Sequence, residues 1–159
     1  MRKIIKKAIK HSTNLHHVQD AMLGVFIQLK DKKPNQRIGY VAGIITSDGE
    51  ENMQKNIDRL LTLTEKLREK VSFPVFSSVD IFGEGMYGQI EDFHFERVQR
   101  ERAFIKFWRI LLKSGHITDV FMTPRWKESK GAKDEHRTAL KQGITIHYVD
   151  EELNELGDR

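Results

Sequence analysis

The stretch that most constrains the fold runs over residues 119–149, DVFMTPRWKESKGAKDEHRTALKQGITIHYV. A short apolar run (119–123) precedes a polar loop holding Arg125, Trp126, Lys127 and Ser129. A helix follows, opened near Gly131, and then a second apolar run at 144–149. Short apolar runs flanking a helical pattern predict a strand, helix, strand unit, the building block of a parallel sheet. In such sheets ligands settle beyond the carboxyl ends of the strands, where this loop falls. The acids placed early enough in the helix to face that loop are Asp134 and Glu135.

A chain of 159 residues with 38% apolar content builds one sizeable core and leaves no room for a second large domain. No apolar run approaches the roughly 20 residues needed to cross a bilayer, so a cytoplasmic protein with no membrane partner is expected. Cysteine is absent, which excludes disulfides and thiolate chemistry. The formal charge of +4 is uneven: Arg2, Lys3, Lys6, Lys7 and Lys10 open the chain, Lys30, Lys32, Lys33 and Arg37 form a second group, and residues 150–158 are acidic. A basic arm of this kind suits a solvated amphipathic helix, a subunit interface, or contact with nucleic acid or anionic lipid. No base-reading motif or aromatic ladder accompanies it.

Read in order, residues 4–9 and 15–31 carry helical apolar spacing, and together with the loop at 32–36 they form an N-terminal helical arm (1–36). His16 and Asp20 share a helix face, but two ligands are too few for a metal site. Residues 37–47, RIGYVAGIITS, predict a first core strand ended by Gly43. A polar loop and a helix over roughly 50–67 follow, with Met53, Ile57, Leu60, Leu63 and Leu67 spaced for burial. A second strand centres on Val75 and Phe76. The segment DIFGEGMYGQIEDFHF (80–95) reads as a glycine-rich loop able to close over a ligand, with Met86, Tyr87 and Phe93 for apolar contact and Asp80, Glu84 and Asp92 as candidate acids. Its glycines lack the ending of a phosphate loop. A helix over 95–112 buries Phe104, Phe107, Trp108, Leu111 and Leu112, and one of its arginines is a candidate for an anionic group. The whole predicts an α/β domain at 37–150, a doubly wound, mostly parallel sheet flanked by helices, with an acidic tail at 151–159.

Ser129 is a good helix N-cap, backbone amides at residues 130–132 would point toward an anion, and a carboxylate at Glu135 lies just beyond the first turn. An ionised carboxylate there can attack an anomeric carbon and form a covalent glycosyl intermediate. Trp126 can stack on a base. The bland account is equally physical: Ser129 caps, Glu135 faces solvent and Trp126 packs on the core. His136 points to a different face from Glu135, and His147 reads as structural.

The first-strand segment YVAGIIT, the ITDVFMTP strand and above all Ser129, Gly131, Ala132 and Glu135, followed by Ala139 and Gly143, resemble the nucleoside 2-deoxyribosyltransferase-like superfamily over residues 38–149. The nearest branch is an uncharacterised one with a Ser-x-Gly-Ala-x-x-Glu segment. The resemblance implies a doubly wound sheet and cleavage or exchange of the N-glycosidic bond of a nucleoside, nucleoside 5'-monophosphate or related nucleotide derivative. It implies Glu135 as nucleophile and Asp119 as a second active-site acid. Substrate contacts are expected from Gly43, Ile45, Thr46, Asp80, Met86, Tyr87, Trp126, Ser129 and Gly131. No cofactor or metal is implied, and a homo-oligomer is expected. The chain carries Ile44, Ile45 and Thr46 where nucleotide hydrolases of this kind have a small polar residue and an Arg. That departure keeps open a non-catalytic nucleotide-binding or sensor protein, with a nucleic-acid-associated protein as a third reading.

Overall fold

The structure, a computed structural model, describes residues 1–83 and 85–156, except the side chains of Glu50, Tyr87 and Leu156. Two helices lead, α1 (Arg2–Ile9) and α2 (Leu15–Lys32). Asn14 caps α2, its side chain accepting from the His17 amide at 2.9 Å. Apolar residues at helical spacing then turn inward: Ile5 and Ile9 on α1, and Leu15, Val18, Met22, Val25 and Phe26 on α2 are all buried. All of these but Val25 share one apolar cluster with the sheet residues Tyr40, Phe76, Val120 and Met122. The N-terminal extension is therefore built into the main core, and Asp92 ties it down further by accepting from the Leu15 amide at 2.8 Å.

Five strands form one sheet in the order β2-β1-β3-β4-β5. They are β1 (Gly39–Ala42), β2 (Val75–Ser77), β3 (Asp119–Met122), β4 (Thr145–Val149) and β5 (Glu155–Leu156). The first four are parallel, and β5 closes the edge antiparallel to β4. Every residue of β1, β2 and β3 is buried, as strands covered on both faces require. Helix α3 (Met53–Lys70) links β1 to β2 across one face, where Leu60, Leu63 and Leu67 meet Val41, Val75 and Phe121. Helices α6 (Arg97–Lys113) and α7 (Lys130–Lys141) return across the other face with α1 and α2. Moving outward from β1 in both directions with helices on opposite faces is the doubly wound, Rossmann-like arrangement that right-handed crossovers impose.

The first strand is shorter than the predicted 37–47. At its end a Cβ on Gly43 would lie 2.6 Å from the Thr123 Oγ1 and 3.1 Å from Leu60, so only glycine lets β1 and β3 close up there. The glycine-rich segment after β2 is also more ordered than a closing loop. It forms α4 (Ser78–Phe82), opened by a capping box between Ser77 and Asp80, then α5 (Met86–Gln89) and a 3-10 turn. Phe82, Met86 and Ile90 fill the core against Phe107 and Trp108, with Phe82 edge-on to Phe104 at 5.1 Å. Residues 151–156 continue past β4 as a turn and β5, with Leu153 buried.

Candidate functional site

The chain's progression across the sheet reverses between β1 and β3, and the carboxyl edge at such a reversal is where doubly wound sheets admit ligands. The loop after β1 is fixed from below by buried Asn56, whose amide donates to the Ile45 carbonyl at 3.0 Å and to the Asp48 carboxylate at 2.8 Å. The loop after β3 makes a 3-10 turn over Trp126–Glu128 and enters α7 through Ser129. Ser129 is 5% exposed, and its Oγ accepts from the Ala132 amide at 3.2 Å, the N-cap that its sequence position predicts. The two loops touch where the Ser47 hydroxyl donates to the Ser129 hydroxyl at 3.4 Å. Arg125 adopts a left-handed backbone (φ 66°) and sets its guanidinium between Asp48, 3.2 Å away, and Glu128, 2.6 Å away. That pairing holds Arg125 above its ordinary value, with Glu128 the stronger cause.

Beside this junction, over the ends of β3 and β4, lies a cavity of about 590 Å³. Its walls include Thr123, Trp126, Tyr148 and Asp150. Trp126 stacks on His136 with ring centres 4.4 Å apart, and the His136 Nε2 is 2.7 Å from the Tyr148 hydroxyl. Burial, aided by Lys127, lowers the pKa of His136, so this aromatic wall is uncharged near neutrality. From the other face Arg59 bonds the Pro124 carbonyl at 3.3 Å and pairs with Glu151, pinning the two loops of the cavity to α3.

Glu135 is placed below this edge. It is 6% exposed and turned from α7 toward β1, where the Tyr40 hydroxyl donates to its carboxylate. Burial pushes its pKa up to about 8 against the lowering effect of that hydrogen bond, and the neighbouring charge of Asp134 adds to the rise. Burial likewise raises Tyr40 well above the usual phenol value, so Tyr40 remains the donor. Two expectations for this position, a carboxylate held ionised by the helix start and a solvent-facing acid, both give way: burial makes Glu135 a covered carboxyl, mostly neutral at pH 7.

The other expected residues divide. Ser129, Gly131, Trp126, Gly43 and Thr46 lie on or next to the carboxyl edge, and Ile45 packs inward against the α3 side. Asp119 lies at the opposite end: it opens β3, is 1% exposed, and bonds Arg37, Thr118 and His147. It does not meet Glu135. Asp80 is buried in a charge network, 2.6 Å from Arg68 and 3.9 Å from Arg2, which joins α4 to α3 and α1. Met86 is 7% exposed within the core cluster, committed to packing. Glu84 and the side chain of Tyr87 lie outside the described residues.

Sequence reasoning passed over Tyr40, Asp48 and Tyr148. Tyr40 had a signal, alternation: with Ala42 it shares the strand face that meets α7. Among the described residues no group of three or more His, Asp or Glu side chains is arranged to hold a metal ion, and no helix is long and apolar enough to cross a membrane. The fold and edge thus define a doubly wound α/β protein with an open recess at its carboxyl edge. No protein-family model, curated protein or solved structure matches the chain.

Proposed function

We propose that the chain acts on the N-glycosidic bond of a nucleoside, nucleoside 5'-monophosphate or related nucleotide derivative, as a hydrolase or transferase with Glu135 as its reactive carboxylate. The observation that carries this reading is a carboxyl kept in the core between α7 and β1, 6% exposed and bonded to Tyr40, with its pKa pushed up to about 8. An amide of the same shape would avoid the burden of ionisation, so retaining the acid there favours a chemical role. In the reaction the ionised Glu135 oxygen bonds to the anomeric carbon as the carbon–nitrogen bond breaks. The bonding pair leaves with the base, which takes a proton from water. Water, or a second base in a transfer, then attacks the same carbon and frees the carboxylate. The sugar would enter between Ser47 and Ser129, whose 3.4 Å contact is a weak closure, and the base would lie toward Trp126 and Tyr148.

Because attack needs the ionised form, base release should rise with pH up to about 8 and then level off. The test is incubation with deoxynucleosides and their monophosphates from pH 6 to 9, with free base measured by chromatography. Release that Glu135→Gln lowers at least ~100-fold supports the proposal; release unchanged by that substitution overturns it.

A second reading, a nucleotide-binding or sensor protein without turnover, is favoured by the covered, neutral state of Glu135. Under it, thermal stabilisation by nucleotides persists in Glu135→Gln and no base is released; an unmoved melting temperature across the panel removes both readings. Assembly into a homo-oligomer belongs to the same proposal, since a neighbour would supply the missing wall of a shallow edge site; sedimentation as a monomer at all concentrations removes it.

A further inference from the structure

The outer surface of α6 and α7 carries a feature that the carboxyl-edge site does not use. On α6, Arg102, Lys106, Arg109 and Lys113 recur at intervals of four, three and four residues, which places them on one helix face. On α7, Lys130, Arg137 and Lys141 fall on one face at intervals of seven and four. All seven are exposed. The two helices lie side by side: Arg109 grips Asp134 through bonds of 2.7 and 2.5 Å, and Lys130 sits 3.8 Å from Glu101. Between the rows is a recess of about 210 Å³ walled by Arg109, Lys113, Arg137 and Lys141, with Asp134 and Thr138 at its floor.

Among the described residues, Arg102, Lys106, Lys113, Arg137 and Lys141 have no carboxylate partner, so the groove keeps a clear excess of positive charge. An isolated cation on a helix is ordinary solvated surface. Two aligned rows facing one channel are different, because each charge raises the potential felt by a linear polyanion lying between them. The row on α6 spans about 16 Å at 1.5 Å per residue. A recess of about 210 Å³ between the rows is far too small to take in a rigid duplex, whereas a flexible single strand can bend its phosphates into it. The recess has no aromatic side chain for base stacking, so contact would be to phosphates and independent of sequence. A membrane surface fits less well, since it is flat where the site is recessed.

We propose that the α6–α7 groove binds the phosphate backbone of single-stranded nucleic acid. The site is distinct from the basic N-terminal helix and does not rest on glycosidic chemistry at Glu135.

The test is fluorescence anisotropy of a labelled oligothymidylate with the full chain, titrated in NaCl from about 50 to 200 mM, where phosphate-dominated binding weakens steeply. The triple variant Lys113→Glu, Arg137→Glu, Lys141→Glu should bind at least ~10-fold more weakly, and the neutral triple with Gln should reduce the salt slope by about 2, near 0.7 for each phosphate that is no longer neutralised. A control triple on α1, Lys3→Glu, Lys7→Glu, Lys10→Glu, should retain most of the affinity. Circular dichroism melts confirm that each variant is folded, and the neutral triple decides if the charge-reversed one is not. The proposal is overturned if the wild type does not bind at about 50 mM salt. It is equally overturned if the α1 control loses binding while the groove variants keep it, or if a duplex, polyglutamate or anionic vesicles bind more tightly than the single strand.

Discussion

Asp119 and Glu135 are both acids, both nearly sealed from water at 1% and 6% exposure, and they have opposite fates. Burial pushes Asp119 upward too, yet hydrogen bonds from Arg37, Thr118 and His147 outweigh it and hold the carboxylate below its ordinary value. Glu135 has Tyr40 as its hydrogen-bond donor and a like charge at Asp134 nearby, so burial wins and its pKa climbs to about 8. What decides between a permanent ion and a stored proton is the number and charge of the donors, more than the depth. The amino end of the sheet is a finished electrostatic structure, extended through His147 to Glu155 at 2.7 Å, whereas the level of Glu135 holds a group that can still change state.

The largest expected effect tests that contrast through pH. Glu135 has a folded-state pKa near 8 against an ordinary 4.5, so its contribution to stability is complete below about pH 4.5 and is lost as pH rises through 8. Between pH 5 and 9 that linkage amounts to about 4 kcal/mol, an upper figure for a group able to relax. Denaturant titrations should show the wild type losing stability across this range and Glu135→Gln nearly flat. Parallel pH curves for the two proteins would mean that Glu135 is not the stored proton.

Asp119 should behave in the opposite sense. Its pKa is depressed, so its contribution is present above about pH 4 and is lost in acid as pH falls through the folded-state value. Asp119→Ala removes the shared partner of Arg37 and His147 and should lower stability at pH 7 by about 3 kcal/mol, measured as a shift in the urea midpoint. Because Arg37 is half exposed and recovers water, the loss should fall at the lower end for a broken buried pair. If Asp119→Ala also abolished any base release while its folded fraction stayed high, the amino-end role would be inadequate and a link to the reactive edge would be required.

The sequence disclosed the fold better than the site, and particular residues show why. The apolar runs around Tyr40, Val75, Val120 and Ile146 each have strand character independent of context, and Ser129 declares a helix start, so strands, crossovers and N-cap could be read locally. What could not be read was which way a polar side chain goes once the helix docks. Asp119 begins its strand and therefore belongs to the amino end, a fact that depends on knowing strand polarity and register in the assembled sheet. Glu135 and Asp134 are adjacent, and the docking angle of α7 sends one to Tyr40 and the other out to Arg109. Glycines in the segment after β2 read as a loop, yet Phe82, Met86 and Ile90 contribute enough buried apolar surface, on the order of 2 kcal/mol each, to hold short helices there. Tertiary packing overrode local propensity in that segment.

The smallest effect examines whether the carboxyl edge is itself held closed. Arg125 sits in the left-handed region and spans Asp48 and Glu128, joining the loops after β1 and β3. Arg125 and Glu128 are about half exposed while Asp48 is more covered, and with the shared guanidinium open to water the net worth of the pairs is within about 1 kcal/mol and diminishes with salt. Against this, a left-handed backbone costs a non-glycine residue roughly 1–2 kcal/mol. Arg125→Ala loses the pairs and keeps the strain, whereas Arg125→Gly loses the pairs and relieves it. The glycine variant should therefore be the more stable of the two by about 0.5 kcal/mol, after allowing for the greater freedom of glycine in the unfolded chain. If the two variants melt together, the strain at residue 125 is absent in solution. If Arg125→Ala instead falls far below both the wild type and Arg125→Gly, the clasp between the two loops is stiffer than its exposed ion pairs account for, and the carboxyl edge would approach the amino end in rigidity.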